Sequence, residues 1–297
     1  MSSYTDISSL GTATLATSKA HFLAEGPVWD AARKRVRWVD IMDGAVHEGV
    51  LEQDGTITHT GTMQVPGIAA AVAVAHDGSL VVASNRCMYY VSSDGSITSG
   101  RDLIDVEGRR FNDGKPDPSG RFVVGTKGPG NEQLVVVEND EILHVLDDDL
   151  TLGNGLAWTS DGATLYTVDT FSQRIFVRDY NVETGEAGER RVFITLTAGF
   201  PDGMTIDTED HLWVAVWGEG TVLRISPAGE IVSRVEVPAP HTSCPVFAGE
   251  HLDTLVITTA REDLSDEQLA AYPQSGHLFT FRPGVVGNPP HLWAGKH

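Results

Sequence analysis

Short apolar runs alternate with turns rich in Asp, Gly or Ser along the whole chain. A turn followed by a strand-like apolar run appears as "DAARKRVRWVDI", "AHDGSLVVAS", "DPSGRFVVGT", "TSDGATLYTVD", "DTEDHLWVAV" and "GEHLDTLVITT". The first apolar residues of these runs, at separations of 44, 42, 43, 47 and 43, are Val36, Leu80, Phe122, Leu165, Leu212 and Leu255. A repeat of constant length predicts one structural unit per copy.

Units of about 40–50 residues built from short strands are typical of β-propeller blades, which contain four antiparallel strands each. Six copies predict an all-β fold, a six-bladed β-propeller, that forms a single domain over residues 1–297. Only "REDLSDEQLAAY", in the last copy, has the pattern of a short helix. Because a propeller must close its ring or leave sheet edges open, we expect the N-terminal segment, residues 1–20, to pair into the last blade.

Four polar residues share one position in their repeats, 10 or 11 residues before the first apolar residue. They are Glu25, Asn112, Asn154 and Asp202, each beside a glycine or an Asp-Gly pair. The same position holds Ala69 or Ala70 in the second repeat and Cys244 or Pro245 in the sixth. Innermost strands of propeller blades line the central channel, so residues at one phase lie at one height. We therefore expect the four polar side chains to converge at the mouth of the channel.

Convergent carboxylates repel one another unless a cation lies between them. Carboxylate and amide oxygens are hard ligands, which favour Ca²⁺, Mg²⁺ or Mn²⁺ over a structural zinc site. Three protein oxygens leave coordination positions open for water or substrate, as in catalytic metal sites. Each of these residues by itself is equally well explained as a strand cap or a water-bound channel residue. Their shared phase favours the metal site.

The composition narrows the possible partners. Hydrophobic residues make up 41% of the chain and charged residues 21%, which indicates a soluble globular protein. The 21 basic and 41 acidic side chains give a net charge of −20, which disfavours nucleic acid and anionic membranes and suits a neutral substrate or a metal cation. We recognise no signal peptide and no membrane span. Cys87 and Cys244 form no C-x-x-C pair, so we expect buried free thiols in a cytoplasmic protein.

Longer motifs surround the polar residues, namely "EGPVWD" with "VRWVDI", "RRFNDGKPDPSGRFVVGT", "LGNGLAWTSDGATLYTVDT" and "FPDGMTIDTEDHLWVAVWG". In this order and spacing they resemble the regucalcin and gluconolactonase family of six-bladed sugar lactonases. The resemblance covers nearly the whole chain, and "LSDEQLAAYPQSGHLF" is similar to the bacterial sugar-lactonase branch. The ordered set is specific, whereas one "DG" before a strand would carry little information.

The resemblance implies roles for five residues. In this family the glutamate of E-G-P, the asparagine of N-G-L and the aspartate of P-D-G-M bind one divalent metal, which implies Glu25, Asn154 and Asp202 as ligands. The same aspartate is proposed as the general base. The arginine and asparagine of R-F-N-D-G contact the substrate, which implies Arg110 and Asn112. Calcium is the first expectation for the ion, with magnesium, manganese, zinc and iron left open.

Two departures from the family pattern concern the substrate. Lys127 replaces a methionine that family members often carry in G-T-M, near the expected rim of the pocket. It is either a solvated loop lysine or a substrate-binding cation that helps Arg110 receive a carboxylate or phosphate. Some relatives place a sugar-binding glutamate in the following loop; that loop is short here, and Glu132 is a weak equivalent.

These expectations favour a metal-dependent carboxylic ester hydrolase that opens a sugar lactone, such as glucono- or xylonolactone, to its aldonic acid. The metal would polarise the ring carbonyl and activate a water, Asp202 would accept the proton of that water, and Arg110, Asn112 and Lys127 would contact the substrate. Two alternatives stay open: hydrolysis of an organophosphate or another ester on the same metal propeller, and a non-catalytic propeller that binds metal or a ligand. The chain contains no G-x-S-x-G elbow and no P-loop.

Overall fold

The fold is known from a computed structural model, which describes residues 3–296. Its strands form six sheets, which confirms the predicted six-bladed β-propeller. In each blade the chain passes from an inner strand outward through an antiparallel meander. Tight turns between the strands, such as Asp77-Gly78, supply the backbone freedom that hairpins need, with φ of 93° at Gly78.

The strands follow the order of the repeats. Two short strands come first, β1 (Ser9–Thr12) and β2 (Thr14–Leu15). Blade 1 contains β3 (Ala24–Asp30), β4 (Arg35–Asp40), β5 (Ala45–Leu51) and β6 (Ile57–Gln64). Blade 2 contains β7 (Ala71–Val74), β8 (Leu80–Ala83), β9 (Met88–Val91) and β10 (Ile97–Ser99). Blade 3 contains β11 (Arg110–Pro116), β12 (Phe122–Lys127), β13 (Glu132–Glu138) and β14 (Glu141–Leu150).

The last three blades continue this arrangement. Blade 4 contains β15 (Gly153–Trp158), β16 (Thr164–Asp169), β17 (Arg174–Asp179) and β18 (Arg191–Thr195). Blade 5 contains β19 (Phe200–Ile206), β20 (Leu212–Trp217), β21 (Thr221–Ile225) and β22 (Ile231–Glu236). Blade 6 contains β23 (Thr242–Ala248), β24 (Thr254–Thr259) and β25 (Phe279–Phe281), with helix α1 (Asp266–Ala271) between the last two strands.

The N-terminal strands join two different blades. Strand β2 pairs antiparallel with β25, with Leu15 opposite Phe279, and becomes the outer strand of blade 6. Strand β1 pairs in parallel with β22 and extends blade 5 to five strands. The sequence placed this segment in the last blade alone, because apolar spacing does not reveal which exposed sheet edge a short strand will meet.

Burial is highest toward the channel. Every residue of β7, β15 and β23 is buried, so these inner strands are covered on both faces. Helix α1 starts at a capping box in which the Ser265 side chain accepts from the backbone N–H of Gln268. Cys87 and Cys244 are buried free thiols, as expected. Within residues 3–296, no helix combines the length and apolar character needed to cross a membrane.

Candidate active site and metal centre

A cavity of about 210 Å³ lies where the inner strands begin, at one end of the channel. It is lined by all six residues proposed from the sequence: Glu25 on β3, Arg110 and Asn112 on β11, Lys127 at the end of β12, Asn154 on β15 and Asp202 on β19. These residues come from blades 1, 3, 4 and 5. The rest of the wall is largely apolar and includes Leu23, Ile41, Leu152, Phe171, Phe200 and Trp217.

Strand pairing is irregular wherever an inner strand carries one of these polar residues. The register shifts lie between Glu25 and Val28 in β3, Phe111 and Gly114 in β11, Asn154 and Leu156 in β15, and Pro201 and Met204 in β19. Strand β23 has a similar shift before Cys244, whereas β7, which carries no site residue, pairs regularly with β8. A bulge leaves residues unpaired and redirects their side chains, which allows polar residues of buried strands to face the channel.

Glycines that follow the polar residues permit close packing around the channel axis. A Cβ atom added to Gly155 would overlap the backbone oxygen of Asp202, and one added to Gly203 would overlap the side chain of Cys244. Only glycine fits these two positions. The glycines of the pairs Asn154-Gly155 and Asp202-Gly203 are therefore required by the approach of neighbouring inner strands.

The carboxyl groups at the channel are buried close to one another. Glu25 is 6% exposed and Asp202 is 5% exposed. Burial, followed by the charges of Asp202 and Asp113, raises the pKa of Glu25 well above its ordinary value. Burial and the charge of Asp113 raise the pKa of Asp202 in the same way. Without a cation, these carboxylates destabilise one another's charged forms.

Two oxygens at this place have no hydrogen-bond partner within residues 3–296, Oδ1 of Asn154 and Oδ1 of Asp202. Nδ2 of Asn154 donates to Oγ1 of Thr170 at 3.1 Å, which fixes the orientation of the amide. Buried polar atoms nearly always have a partner, so these two oxygens fit a site that binds a ligand through them. Together with the carboxylate of Glu25, they form an all-oxygen donor set that fits a hard divalent cation.

Arg110 and Asn112 are bonded to each other at the edge of the cavity. Nη1 of Arg110 donates to Oδ1 of Asn112 and to the carbonyl of Phe111, both at 2.8 Å. Nδ2 of Asn112 donates to the carbonyl of Gly153 at 3.2 Å. Burial lowers the pKa of Arg110, while the nearby charge of Glu262 opposes that shift. These bonds hold the guanidinium in a defined place before any substrate arrives.

Asp113 is a channel residue to which the sequence analysis gave no role. It is 4% exposed, and both of its carboxylate oxygens lack a hydrogen-bond partner in the described part of the chain. Burial raises its pKa, and the positive charge of Lys115 opposes the shift. It follows Asn112 at the bulge of β11, so two consecutive residues lie near the channel. Several other Asp-Gly pairs of this chain, such as Asp77-Gly78, Asp94-Gly95 and Asp161-Gly162, lie in turns, so the pair Asp113-Gly114 did not by itself indicate a channel residue.

Two further acids of the cavity, Glu262 and Asp263, come from the connection between β24 and α1. This connection belongs to the insertion in the last repeat and has no counterpart in the other five. Its residues therefore have no equivalent position in the other repeats, and the repeat pattern of the sequence does not single them out.

Glu132 does not line the cavity, so its suggested equivalence to a sugar-binding glutamate is wrong. Its side chain is fully buried. It accepts from Oγ1 of Thr126 at 2.7 Å and from the N–H of Gly130 at 2.9 Å. Nε of Arg109 lies 3.2 Å from its Oε2, an ion pair without hydrogen-bond geometry. Glu132 stabilises the loop after β12 and is not accessible to a substrate.

A second group of possible metal ligands, His21, Asp40 and His47, lies in blade 1, with one ligand atom of each within 4.8 Å of the others. Nε1 of Trp38 donates to Nε2 of His21 at 3.2 Å, so Nδ1 of His21 carries the proton that faces Asp40 at 3.5 Å. A metal bound to His21 would have to displace the indole. The existing hydrogen bonds account for this cluster without an ion, apart from the unpartnered Nε2 of His47.

A larger cavity, of about 350 Å³, lies toward the other end of the channel. Its wall is formed by later residues of the inner strands, such as Val28 and Val246, and by the segment Asn288 to His291. None of the polar residues of the first cavity lines it. The smaller cavity is therefore the one with the groups needed for chemistry.

The chain belongs to the family described as the SMP-30/gluconolactonase/LRE-like region, whose model matches residues 23–261. It is 34% identical to the 6-deoxy-6-sulfogluconolactonase of Pseudomonas putida, over 92% of this chain and 95% of that protein. It is 31% identical to a pentonolactonase of Haloferax volcanii, over 90% and 93% of the two chains. The solved structure of a calcium-binding protein, regucalcin, from Agrobacterium tumefaciens matches with a TM-score of 0.89 and 32% identity, over 96% and 99% of the two chains.

These findings confirm the family expected from the motifs. The family description and the names of the relatives also support the predicted enzyme class, a carboxylic ester hydrolase of the lactonase type.

Proposed function

We propose that the protein opens an aldonolactone, such as glucono- or xylonolactone, to its aldonic acid with the help of one divalent cation. The observation that carries this proposal is the pair of unpartnered oxygens on Asn154 and Asp202, in a cavity that also contains Glu25 and Arg110. The substrate class is supported by the family and by relatives named for a gluconolactone derivative and for pentonolactones.

Glu25, Asn154 and Asp202 are the proposed ligands of the cation. Calcium is the first candidate, because all donors are oxygens and a similar solved structure is described as a calcium-binding protein. When bound, a divalent cation supplies a Lewis acid that polarises a carbonyl oxygen and lowers the pKa of water.

Asp202 is the proposed general base. A positive charge nearby would reverse the upward shift of its pKa, so that its carboxylate is ionised and accepts a proton from the attacking water. The water oxygen bonds to the carbonyl carbon, the ring C–O bond breaks, and the proton passes from Asp202 to the departing ring oxygen. Arg110 and Asn112 orient the ring through its oxygens, since a guanidinium offers several donors in a fixed plane.

A panel of pentonic and hexonic lactones tests this function, with acid release followed by a pH indicator. We expect turnover to disappear with chelator and to return when Ca²⁺, Mg²⁺, Mn²⁺, Zn²⁺ or Fe²⁺ is added singly, which also ranks the ions. Asp202→Asn should lower kcat by about 10²–10⁴-fold, the usual contribution of general acid–base catalysis. Asp94→Asn, at an exposed turn, is the matched control.

The proposal is refuted if no lactone is hydrolysed faster than in buffer. Turnover that persists in chelator, or near-normal rates in the Asp202 variant, would refute the proposed roles of the cation and of Asp202. Paraoxon in the same assay separates a lactonase from an organophosphate hydrolase.

A further inference from the structure

An ion pair between Lys127 and Glu262 lies at the outer end of the cavity. Nζ of Lys127 is 3.9 Å from Oε2 of Glu262. The two side chains are 38% and 20% exposed, and both line the cavity, so a molecule that enters can touch them. The separation is too long for a hydrogen bond. The pair therefore neutralises charge while each group can still bond to a ligand.

The position of Glu262 is set by its backbone. Its N–H donates to the carbonyl of Phe22 at 3.1 Å, and its own carbonyl lies 2.8 Å from Nδ1 of His241. The His241 ring stacks on Trp217, with ring centroids 4.1 Å apart and an interplanar angle of 18°. Asp263, the next residue, has a φ of 60°, in the left-handed region that non-glycine residues seldom adopt. None of these contacts uses the Glu262 side chain, so a substitution there should leave the loop in place.

The charges at the mouth are balanced. A divalent cation would match the two carboxylates proposed as metal ligands, and the two side-chain cations, Arg110 and Lys127, line the same cavity as Glu262 and Asp263. The charge of Glu262 acts on Arg110 as well as on Lys127. An anionic group on a substrate would meet these carboxylates and would compete with Glu262 for both cations. An uncharged polyol would meet a donor and an acceptor side by side.

We propose that Glu262 is a specificity-determining residue: by pairing with Lys127 it reserves the cavity for uncharged sugar lactones and disfavours lactones that carry an anionic group. The inference rests on the proposed lactonase function. Lys127 then donates to a substrate hydroxyl and Glu262 accepts from one. The sequence suggested instead that Lys127 and Arg110 together receive a carboxylate or phosphate of the substrate. The carboxylate of Glu262 beside Lys127, which the sequence did not reveal, argues against that interpretation. Like-charge juxtaposition is a general means of rejecting a competing ligand.

The test compares gluconolactone with 6-deoxy-6-sulfogluconolactone, which differ by one negative charge at C6, in the metal-loaded enzyme. Glu262→Gln should raise the ratio of kcat/KM for the sulfonated over the neutral lactone by about tenfold, which corresponds to 1.4 kcal/mol. The gain should come mainly from a lower KM and should shrink in high salt. Lys127→Met should lower the ratio, and the double variant should return it close to the wild-type value. Glu267→Gln, an exposed charge of α1 that does not line the cavity, is the matched control and should leave the ratio within about twofold.

An unchanged ratio in Glu262→Gln would overturn the inference, as would an equal rise in Glu267→Gln, which would indicate a general charge effect. Thermal unfolding of each variant checks folding. If Glu262→Gln does not fold, Lys127→Met provides the test. The proposal is then refuted if the ratio of kcat/KM for the sulfonated over the neutral lactone does not fall in that variant. Failure of the lactonase function is distinguishable, because the wild-type enzyme would then hydrolyse neither compound, whereas failure of the inference leaves turnover intact and changes only the preference.

Discussion

Replacement of Asp202 by asparagine should affect catalysis and metal-free stability in opposite directions. The change removes the proposed base and one anionic ligand but keeps the size of the side chain. In the metal-free protein it also removes one of the buried carboxyl groups, Glu25, Asp113 and Asp202, that disfavour one another's charged forms. Activity should therefore fall while the metal-free protein becomes more stable at neutral and alkaline pH.

The size of the stabilisation follows from the burial of the group. An unsatisfied buried polar group costs about 1–3 kcal/mol, and a charged one costs more; the asparagine keeps a polar group but removes the charge, so we take about 2 kcal/mol for this difference. The entropy of unfolding is about 2.1 cal/mol/K per residue, or about 0.6 kcal/mol/K for the 297 residues of this chain; we therefore expect the Tm to rise by roughly 3 °C. The pKa of Asp202 is raised in the folded state. Wild-type stability is therefore fully present below the unfolded pKa of about 3.9 and is lost as pH rises through the folded pKa.

The assay is thermal unfolding in chelator between about pH 4 and pH 8, with the difference in Tm between variant and wild type as readout. The difference should be small at the acidic end and should grow with pH. Asp207→Asn is the matched control, because Oδ2 of Asp207 accepts from Trp213 at 2.9 Å and from Arg224 at 2.7 and 2.9 Å. Because the carboxylate of Asp207 is fully hydrogen-bonded, its replacement should lower the Tm. A lower metal-free Tm in Asp202→Asn, or a difference independent of pH, would refute the reasoning.

Three further predictions concern the scaffold. Removal of residues 1–15 should lower the Tm by several degrees, because two sheet edges lose a strand; an unchanged melting curve would contradict the closure described above. Gly203→Ala should cost about 1–3 kcal/mol of unfolding free energy through overlap with Cys244, measured in urea, whereas Gly188→Ala, with its nearest atom 3.6 Å away, should be neutral. Glu132→Gln should cost about 3 kcal/mol by breaking a buried ion pair while the ranking of lactones stays the same; a changed ranking would indicate a contact with the substrate.

The repeat made much of this protein predictable. Equal spacing of apolar runs indicates equal units, and one phase of the repeat selected Glu25, Asn112, Asn154 and Asp202, which the structure places around one cavity. The position within the repeat predicts the site because every blade places its inner strand around the same axis. Arg110 came instead from the family motif.

Features outside the repeat were not predictable in the same way. Glu262 comes from an insertion that only one blade has. Asp113 lies at a bulge of β11, which interrupts the alternation of side chains there, and its charge acts on Glu25 and Asp202. Strand β1 joins blade 5 because an edge happens to be open there. The burial of Glu132 depends on Arg109 and Thr126, contacts that a loop makes only after folding. Each of these features depends on tertiary contacts, which the local pattern of apolar and polar residues does not predict.

The way in which the N-terminal strands divide between two blades has a mechanical consequence. Strand β1 continues blade 5 and β2 continues blade 6, with only Ala13 between them, so one short peptide fastens adjacent sheets together at their outer rims. Those sheets carry Asp202 and the Glu262 loop on their inner sides. Pulling on the N-terminus would load both blades at once, and a circular permutant that cut the chain here would loosen the spacing between the proposed base and the residue that selects its substrate.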